Sequence, residues 1–226
     1  MKNKGLFLVV IITMLCAGLC SCQDDDGSGG GRGDMSNWVD LGLPSGRLWA
    51  KCNVGASSPE DYGSYYAWGE TQPKDYYDWE TYVHFAEYWA FTKYCNDPSN
   101  GYNGFTDNLT TLQSVDDAAT EALGGSARTP TKEEWQELLD NTTCEKTTME
   151  GISGRRFTAA NGNSIFLPDA GARDRYDLVF SGSEGFYWSA SLNMNNVFCA
   201  WFFNGSDEYG MDNVYRYYGF SIRAVR

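Results

Sequence analysis

The chain contains one histidine, His84, set between Tyr82 and Phe85 with no cysteine or second histidine at a ligand spacing. Structural zinc needs four thiolate or imidazole ligands in close-spaced pairs, so that chemistry is not expected here. A serine hydrolase would have to recruit His84 as its base, and no recognisable turn presents a serine to it. Carboxylates stand side by side at Asp116-Asp117 and Asp207-Glu208. Adjacency is not the opposed geometry, one carboxyl on each side of a scissile bond, that glycoside hydrolysis requires. Asp116 and Asp117 fit better as first-turn residues of a helix, where the macrodipole favours negative charge. Hard cations take oxygen ligands, and Asp207, Glu208 and Asp212 form one acidic loop, with Asn96-Asp97 and Asp107-Asn108 offering another. In so acidic a chain these loops read as solvated charge. No catalytic residue, no metal and no cofactor is therefore expected.

Recognition chemistry is better represented. Between Phe186 and Tyr218 lie 11 aromatic residues, interleaved with Asn, Ser, Gly and Asp. Rigid rings beside adaptable polar groups bury area at low entropic cost, and rings also stack on sugars. The expected contact set is Phe198, Trp201, Phe202, Tyr209, Tyr215 and Tyr217 for apolar or stacking contacts. Asn195, Asn196, Asn204, Asp207 and Asp212 would supply hydrogen bonds. Trp188 is read as core. A second window, Tyr62 to Tyr94, holds 13 aromatics and is expected to pack inside as framework. The ligand implied is an extracellular glycan or protein: apolar faces favour protein, and aromatics ringed by Asn and Asp favour sugar.

The chain has 226 residues and a net charge of −13, with 42% apolar and 15% aromatic residues. That supports one well-filled domain and argues against nucleic acid, whose binding needs clustered Lys and Arg. The start is a leader: Lys2 and Lys4, then ten apolar residues from Leu6 to Leu15, too short to span a bilayer. Leu19-Cys20-Ser21-Cys22 reads as a lipobox, and processing of this type resembles that of bacterial lipoproteins, which acylate the cysteine after the small residue. Residues 1–21 are thus expected to be removed, with Cys22 lipidated as the membrane's point of attachment. Gln23-Asp24-Asp25-Asp26 resembles the signal that sends Bacteroidetes lipoproteins to the outer face of the outer membrane. Gly27 to Gly33 completes a flexible tether over 22–36. Loss of Lys2 and Lys4 takes two positive charges from −13 and leaves −15. Of the cysteines in the domain, Cys52, Cys95, Cys144 and Cys199 allow three pairings that sequence does not distinguish.

Residues 37–226 read as one α+β domain. Ser114, with Asp117 three residues on, predicts a capping box and a helix whose apolar face is Val115, Ala118, Ala119, Ala122 and Leu123, stopped by Gly124-Gly125. Thr131 and Glu134 form a second box, opening a helix with Trp135, Leu138 and Leu139 inward. Strands are expected at Ser164–Leu167, Phe186–Ser191, Ala200–Phe203 and Phe220–Val225, separated by Gly, Asn, Asp and Ser clusters.

A family resemblance spans this domain. Arg128-Thr129-Pro130-Thr131-Lys132-Glu133-Glu134-Trp135 is similar to a signature of the formylglycine-generating-enzyme-like families, whose core is a variant of the C-type lectin fold. Trp38-Val39-Asp40-Leu41-Gly42-Leu43-Pro44-Ser45-Gly46 looks like the start of the Fibrobacter succinogenes major paralogous domain. Leu48 to Ala56, Tyr65-Tyr66-Ala67-Trp68-Gly69-Glu70, Phe166 to Gly171 and the closing Arg216 to Arg226 resemble it too. The resemblance implies a C-type-lectin-like domain with two main helices and short irregular antiparallel strands. It does not imply the enzyme, which relies on C-terminal cysteines, whereas Cys199 stands alone in the last 80 residues. Lectin-fold proteins diversified by retroelements vary near the C-terminus at sites derived from AAC codons. Asn195, Asn196, Phe198, Phe202, Asn204, Tyr209, Asp212, Tyr215 and Tyr217 all fall within the residue set such codons reach. That similarity implies a diversified ligand face on a surface-exposed, adhesin-like lipoprotein. The rival reading is a structural module of the cell envelope.

Overall fold

The computed structural model describes residues 36–226. The expected leader at 1–21, the expected lipidation site Cys22 and all but the last residue of the expected 22–36 tether lie outside the described residues. Two helices and small antiparallel sheets make up the described chain, which is an α+β fold.

The elements run as follows in chain order. A two-stranded ladder pairs β1 (Trp38–Asp40) with β2 (Leu48–Ala50). A short hairpin pairs β3 (Phe85–Ala86) with β4 (Ala90–Phe91). Helices α1 (Ala118–Leu123) and α2 (Lys132–Asn141) follow. Next comes a three-stranded sheet of β5 (Thr142–Met149), β6 (Ile152–Ala159) and β7 (Ser164–Pro168) in that order. A hairpin joins β8 (Ala172–Asp174) to β9 (Asp177–Val179). Last is a second three-stranded sheet of β10 (Phe186–Leu192), β11 (Cys199–Asn204) and β12 (Gly210–Tyr215).

Helix α2 forms as its sequence dictates. The Thr131 hydroxyl accepts from the Glu134 N–H while the Glu134 carboxylate accepts from the Thr131 N–H at 2.9 Å, and Trp135 and Leu138 are fully buried. Helix α1 differs from expectation. Its cap is Asp117, not Ser114: residues Ser114–Asp116 form a separate 3-10 turn, and the Asp117 carboxylate accepts from Ala119. The same buried carboxylate accepts from the Thr129 N–H at 2.8 Å and its hydroxyl at 2.7 Å. That tertiary demand outweighs the local box, so Val115 and Leu123 point outward rather than inward.

The longest hairpin, β5–β6, was not anticipated, because its first strand (TTCEKTTM) is polar with one solvated face. Its turn is Glu150-Gly151, both at positive φ, the conformation a two-residue hairpin loop requires. The expected strand at Phe220–Val225 is instead a thread with several partners. Phe220 bridges Tyr66, Ser221 bridges Tyr187, and Val225 bridges both Trp49 and Arg128. Arg223 on this thread is fully buried and bonds the Asn53 side chain and the carbonyls of Ala50, Lys51 and Phe166. Burial pulls its guanidinium down to about 10, and those bonds make the buried charge tolerable.

Three apolar clusters result. One is built around Trp188, Phe202 and Phe220, and a second around Trp49, Trp135 and Phe203. The third gathers Tyr65, Tyr77, Trp79, Tyr82 and Phe91 with Ala67, Cys95, Ala170 and Val197. This third cluster carries the site. No helix among the described residues is long and apolar enough to cross a membrane.

Candidate functional site: an aromatic groove with an acidic rim

The site begins at a 3-10 turn, Trp79–Thr81, capped by Asp78, whose carboxylate accepts from the Trp79 N–H at 2.6 Å. Two buried phenols anchor the turn from below. Tyr77 donates to the Tyr65 carbonyl and Tyr82 to the Trp68 carbonyl, each at 2.7 Å. Tyr77 also exchanges backbone bonds with Arg175, and the Arg175 guanidinium holds Asp78 at 2.9 Å. Gly219 is required here, since a Cβ on it would lie 2.5 Å from the Tyr77 ring.

The second wall is the β3–β4 hairpin, whose tip is the 3-10 turn Glu87–Trp89. Three-residue hairpin loops usually end on a left-handed residue, and glycine is the usual occupant. Here that residue is Trp89 at φ +61°, with its side chain 65% exposed. Phe85 bridges the two walls, 4.7 Å from the Trp79 ring and 5.7 Å from Trp89 between ring centroids. Tyr102 closes one end. The resulting hollow encloses about 730 Å³, within the size range of small-ligand sites. Its side chains are four rings (Trp79, Phe85, Trp89, Tyr102), three carboxylates (Asp78, Glu80, Glu87) and Ala86.

The residues marked in the C-terminal window separate into distinct places. Phe198, Tyr215 and Tyr217 meet the groove: their centroids lie 5.7, 5.9 and 5.1 Å from the Trp79 ring. Tyr215 is 46% exposed and stacks on Tyr217 at 5.9 Å; burial, then the Tyr218 hydroxyl, push the Tyr217 phenol upward. Asn195 and Asn196 are exposed and border a neighbouring hollow of about 300 Å³ that also reaches Phe198 and Asp97. Trp201, Phe202 and Asp212 lie midway along the β11–β12 hairpin, and Asn204, Asp207 and Tyr209 lie at its far end, where Asn204 faces Gly210; at the near end Cys199 faces Tyr215. Five strand steps of about 3.4 Å put those ends about 17 Å apart. Trp201 is covered on one face by Lys132, 3.2 Å from the ring, and Tyr209 sits over Arg155 at 4.6 Å. Asn204 and Asp212 accept from the Ser206 and Asn213 backbone amides, and Asp207 is solvated.

Phe202 requires correction. It is 5% exposed and packs on Phe220 at 5.0 Å and Phe186 at 5.9 Å, because strand alternation points it, with Ala200, into the first core. It has no face to offer a ligand.

Trp79, Phe85, Trp89, Glu80 and Glu87 were not anticipated as contact residues. They belong to the window expected to pack, and most of that window does: Tyr65, Tyr66, Trp68, Tyr77, Tyr82 and Tyr94 are all buried. The sequence signal available was Glu87 and Trp89 flanking a hairpin tip in place of Gly or Asn.

Behind the groove lies an unusual cation. Arg216 is fully buried, 3.8 Å from the Phe91 centroid, with one hydrogen bond to the Tyr94 carbonyl at 3.3 Å and no partner for Nε or Nη2. Burial draws its guanidinium downward. Cys52, Cys95, Cys144 and Cys199 are all free thiols, raised by burial. His84 Nε2 donates to the Gly69 carbonyl, 3.0 Å away, and burial holds its imidazole below the ordinary range. Asp107 is engaged by the Tyr94, Cys95 and Leu109 amides, and Asp97 by Ser99 and Asn100. Among the described residues no group of three His, Cys, Asp or Glu side chains is placed to hold a metal ion.

No family model matches the sequence, and no curated protein or solved structure is similar to it. The functional reading therefore rests on the geometry of this chain.

Proposed function

We propose that this protein is a lipid-anchored, surface-exposed module that binds an extracellular ligand non-covalently through the aromatic groove. The single observation that carries the reading is Trp89. A large apolar side chain is held 65% exposed on a left-handed backbone, a conformation that costs about 1–2 kcal/mol for a residue with a Cβ. Glycine at that hairpin position would remove the cost, and burial does not offset it. A ligand contact accounts for both the residue and its exposure. Phe198, Tyr215 and Tyr217 extend the same surface.

The lipobox at Cys22, the acidic cluster after it and the Gly-rich tether support display at the outer face of an outer membrane. The motifs from Trp38 to Arg226 support a C-type-lectin-like domain of the Fibrobacter succinogenes major paralogous type. In this reading the second β-sheet and the closing thread are scaffold, and the groove is the recognition surface.

The test is an array of extracellular glycans and proteins probed with the full chain and with Trp89→Ala. Binding that the variant loses while its melting temperature stays within a few degrees supports the reading. Uniform silence, or binding indifferent to Trp89, favours the rival envelope module without a ligand.

A further inference from the structure

We infer that the groove recognises a cationic ligand, specifically a Lys- or Arg-bearing segment of a protein partner. This rests on the ligand-binding reading above and names its ligand class.

The lining of the groove is chemically one-sided. Its polar side-chain groups are the Asp78, Glu80 and Glu87 carboxylates, the Tyr102 hydroxyl and two indole N–H groups. Among the described residues it contains no side-chain amide, no aliphatic hydroxyl and no basic side chain. Ionised carboxylates only accept hydrogen bonds. A sugar hydroxyl both donates and accepts, so a sugar site needs donors such as Asn, Gln, Arg or Lys interspersed with its acceptors. Ammonium and guanidinium groups only donate. An acceptor-rich wall is therefore matched to a cation and poorly matched to a glycan.

Ring geometry leads to the same conclusion. Sugar stacking uses a flat, open ring face, whereas the rings here enclose a concave space. Phe85 is tilted 33° to Trp79, and Trp89 stands 81° to Phe85. An exposed ring beside carboxylates, as Trp89 is beside Glu87, attracts a cation through its quadrupole. This protein already places cations on rings elsewhere, with Lys132 over Trp201 and Arg216 over Phe91.

Charge fits as well. Arg175 answers Asp78, but Glu80 and Glu87 are exposed and enter no ion pair among the described residues. The chain as a whole carries −13, which draws a basic partner inward over a distance set by salt. A Lys or Arg side chain entering the hollow would set its alkyl stem against Phe85 and its charge among the Trp89 face, Glu80 and Glu87.

The experiment titrates the full chain with a blocked tetralysine peptide, with the same peptide acetylated on every side chain, and with a neutral oligosaccharide, following tryptophan fluorescence. Wild type should saturate with tetralysine and ignore the acetylated peptide. Trp89→Ala leaves the net charge unchanged and should weaken tetralysine about tenfold, the scale of a desolvated cation–π contact. Glu80→Gln with Glu87→Gln keeps every ring and should weaken it comparably, with a smaller salt dependence. Equal tetralysine binding by wild type and Trp89→Ala would overturn the inference, exposing only diffuse attraction to an acidic surface. Trp89-dependent binding of the oligosaccharide in place of tetralysine would overturn the ligand class and leave the ligand-binding reading standing. Absence of any Trp89-dependent binding would overturn both.

Discussion

Trp188 and Trp89 both lie against phenylalanine rings, and their surroundings differ at every level. Trp188 is 1% exposed, stacked on Phe220 at 4.4 Å, with its indole N–H given to the Tyr66 carbonyl at 2.7 Å. Its backbone is ordinary strand, and every ring around it is covered by another ring. Trp89 is on a strained tip, exposed, rimmed by acids, and touches Phe85 edge-on. The contrast teaches that aromatic density alone does not separate core from contact surface. Nor does a left-handed backbone, since Tyr94 has one at φ +55° and is fully buried; the polarity of the rim is what differs here.

The sharpest break between the two regions should come from truncation. Trp188→Ala removes a filled core position and leaves a cavity, so it should cost about 3–5 kcal/mol, read by denaturant unfolding. Phe202→Ala should behave as Trp188→Ala does, in the same range. If Phe202→Ala left stability unchanged and lost binding, its assignment to the core would fail.

Trp89→Gly should do the opposite. Relief of the left-handed strain gains about 1–2 kcal/mol, and loss of the Phe85 contact gives back about 0.5–1.5 kcal/mol. The net change in stability should stay within about 1 kcal/mol, a melting-temperature shift of about 2–4 °C in a domain this size. A loss approaching that of Trp188→Ala would show Trp89 to be structural. Tyr215→Ala, at 46% exposure, should likewise cost less than about 2 kcal/mol.

The two arginines with no exposed surface, Arg216 and Arg223, give a parallel contrast. Arg223→Met should be strongly destabilising, because it strands the Asn53 oxygen and three carbonyls that now accept from it. Arg216→Met should be neutral or stabilising by comparison, since it removes an uncompensated charge with a single protein hydrogen bond. Equal losses from both would mean that Arg216 holds a partner equivalent to those of Arg223.

The smallest effect concerns pH. His84 has its folded-state value lowered from 6.5 by burial. The unfolded chain therefore binds the proton more readily, so the contribution is complete above pH 6.5 and is lost as pH falls through the lower folded value. His84→Gln should flatten the stability profile below that point, checked by urea midpoints across the range.

Parts of this molecule were legible in the sequence because the cause was local. Thr131 and Glu134 define α2, Gly124 ends α1 at φ +66°, and turn residues bracket the apolar runs of β7, β10 and β11. What was not legible depended on distant partners. Thr129 takes the Asp117 carboxylate and shifts the start of α1 by three residues. The β5 strand is polar because only one of its faces is covered. Phe220–Val225 reads as a strand but pairs with four separate segments. In the site, Phe198, Tyr215 and Tyr217 were singled out for their residue types, and folding brought them to Trp79. Trp89 was hidden, since only the left-handed turn turns it outward.

The most direct test of the groove is fluorine NMR of the full chain labelled with 5-fluorotryptophan, which reports each of the 8 tryptophans. The Trp89 signal is assigned by its absence in Trp89→Gly. During titration with tetralysine or a neutral oligosaccharide, whichever probe binds should move the Trp89 resonance first, with Trp79 following and Trp188 still. A shift confined to Trp201, midway along β11 and covered by Lys132, would place the contact surface elsewhere and contradict the account.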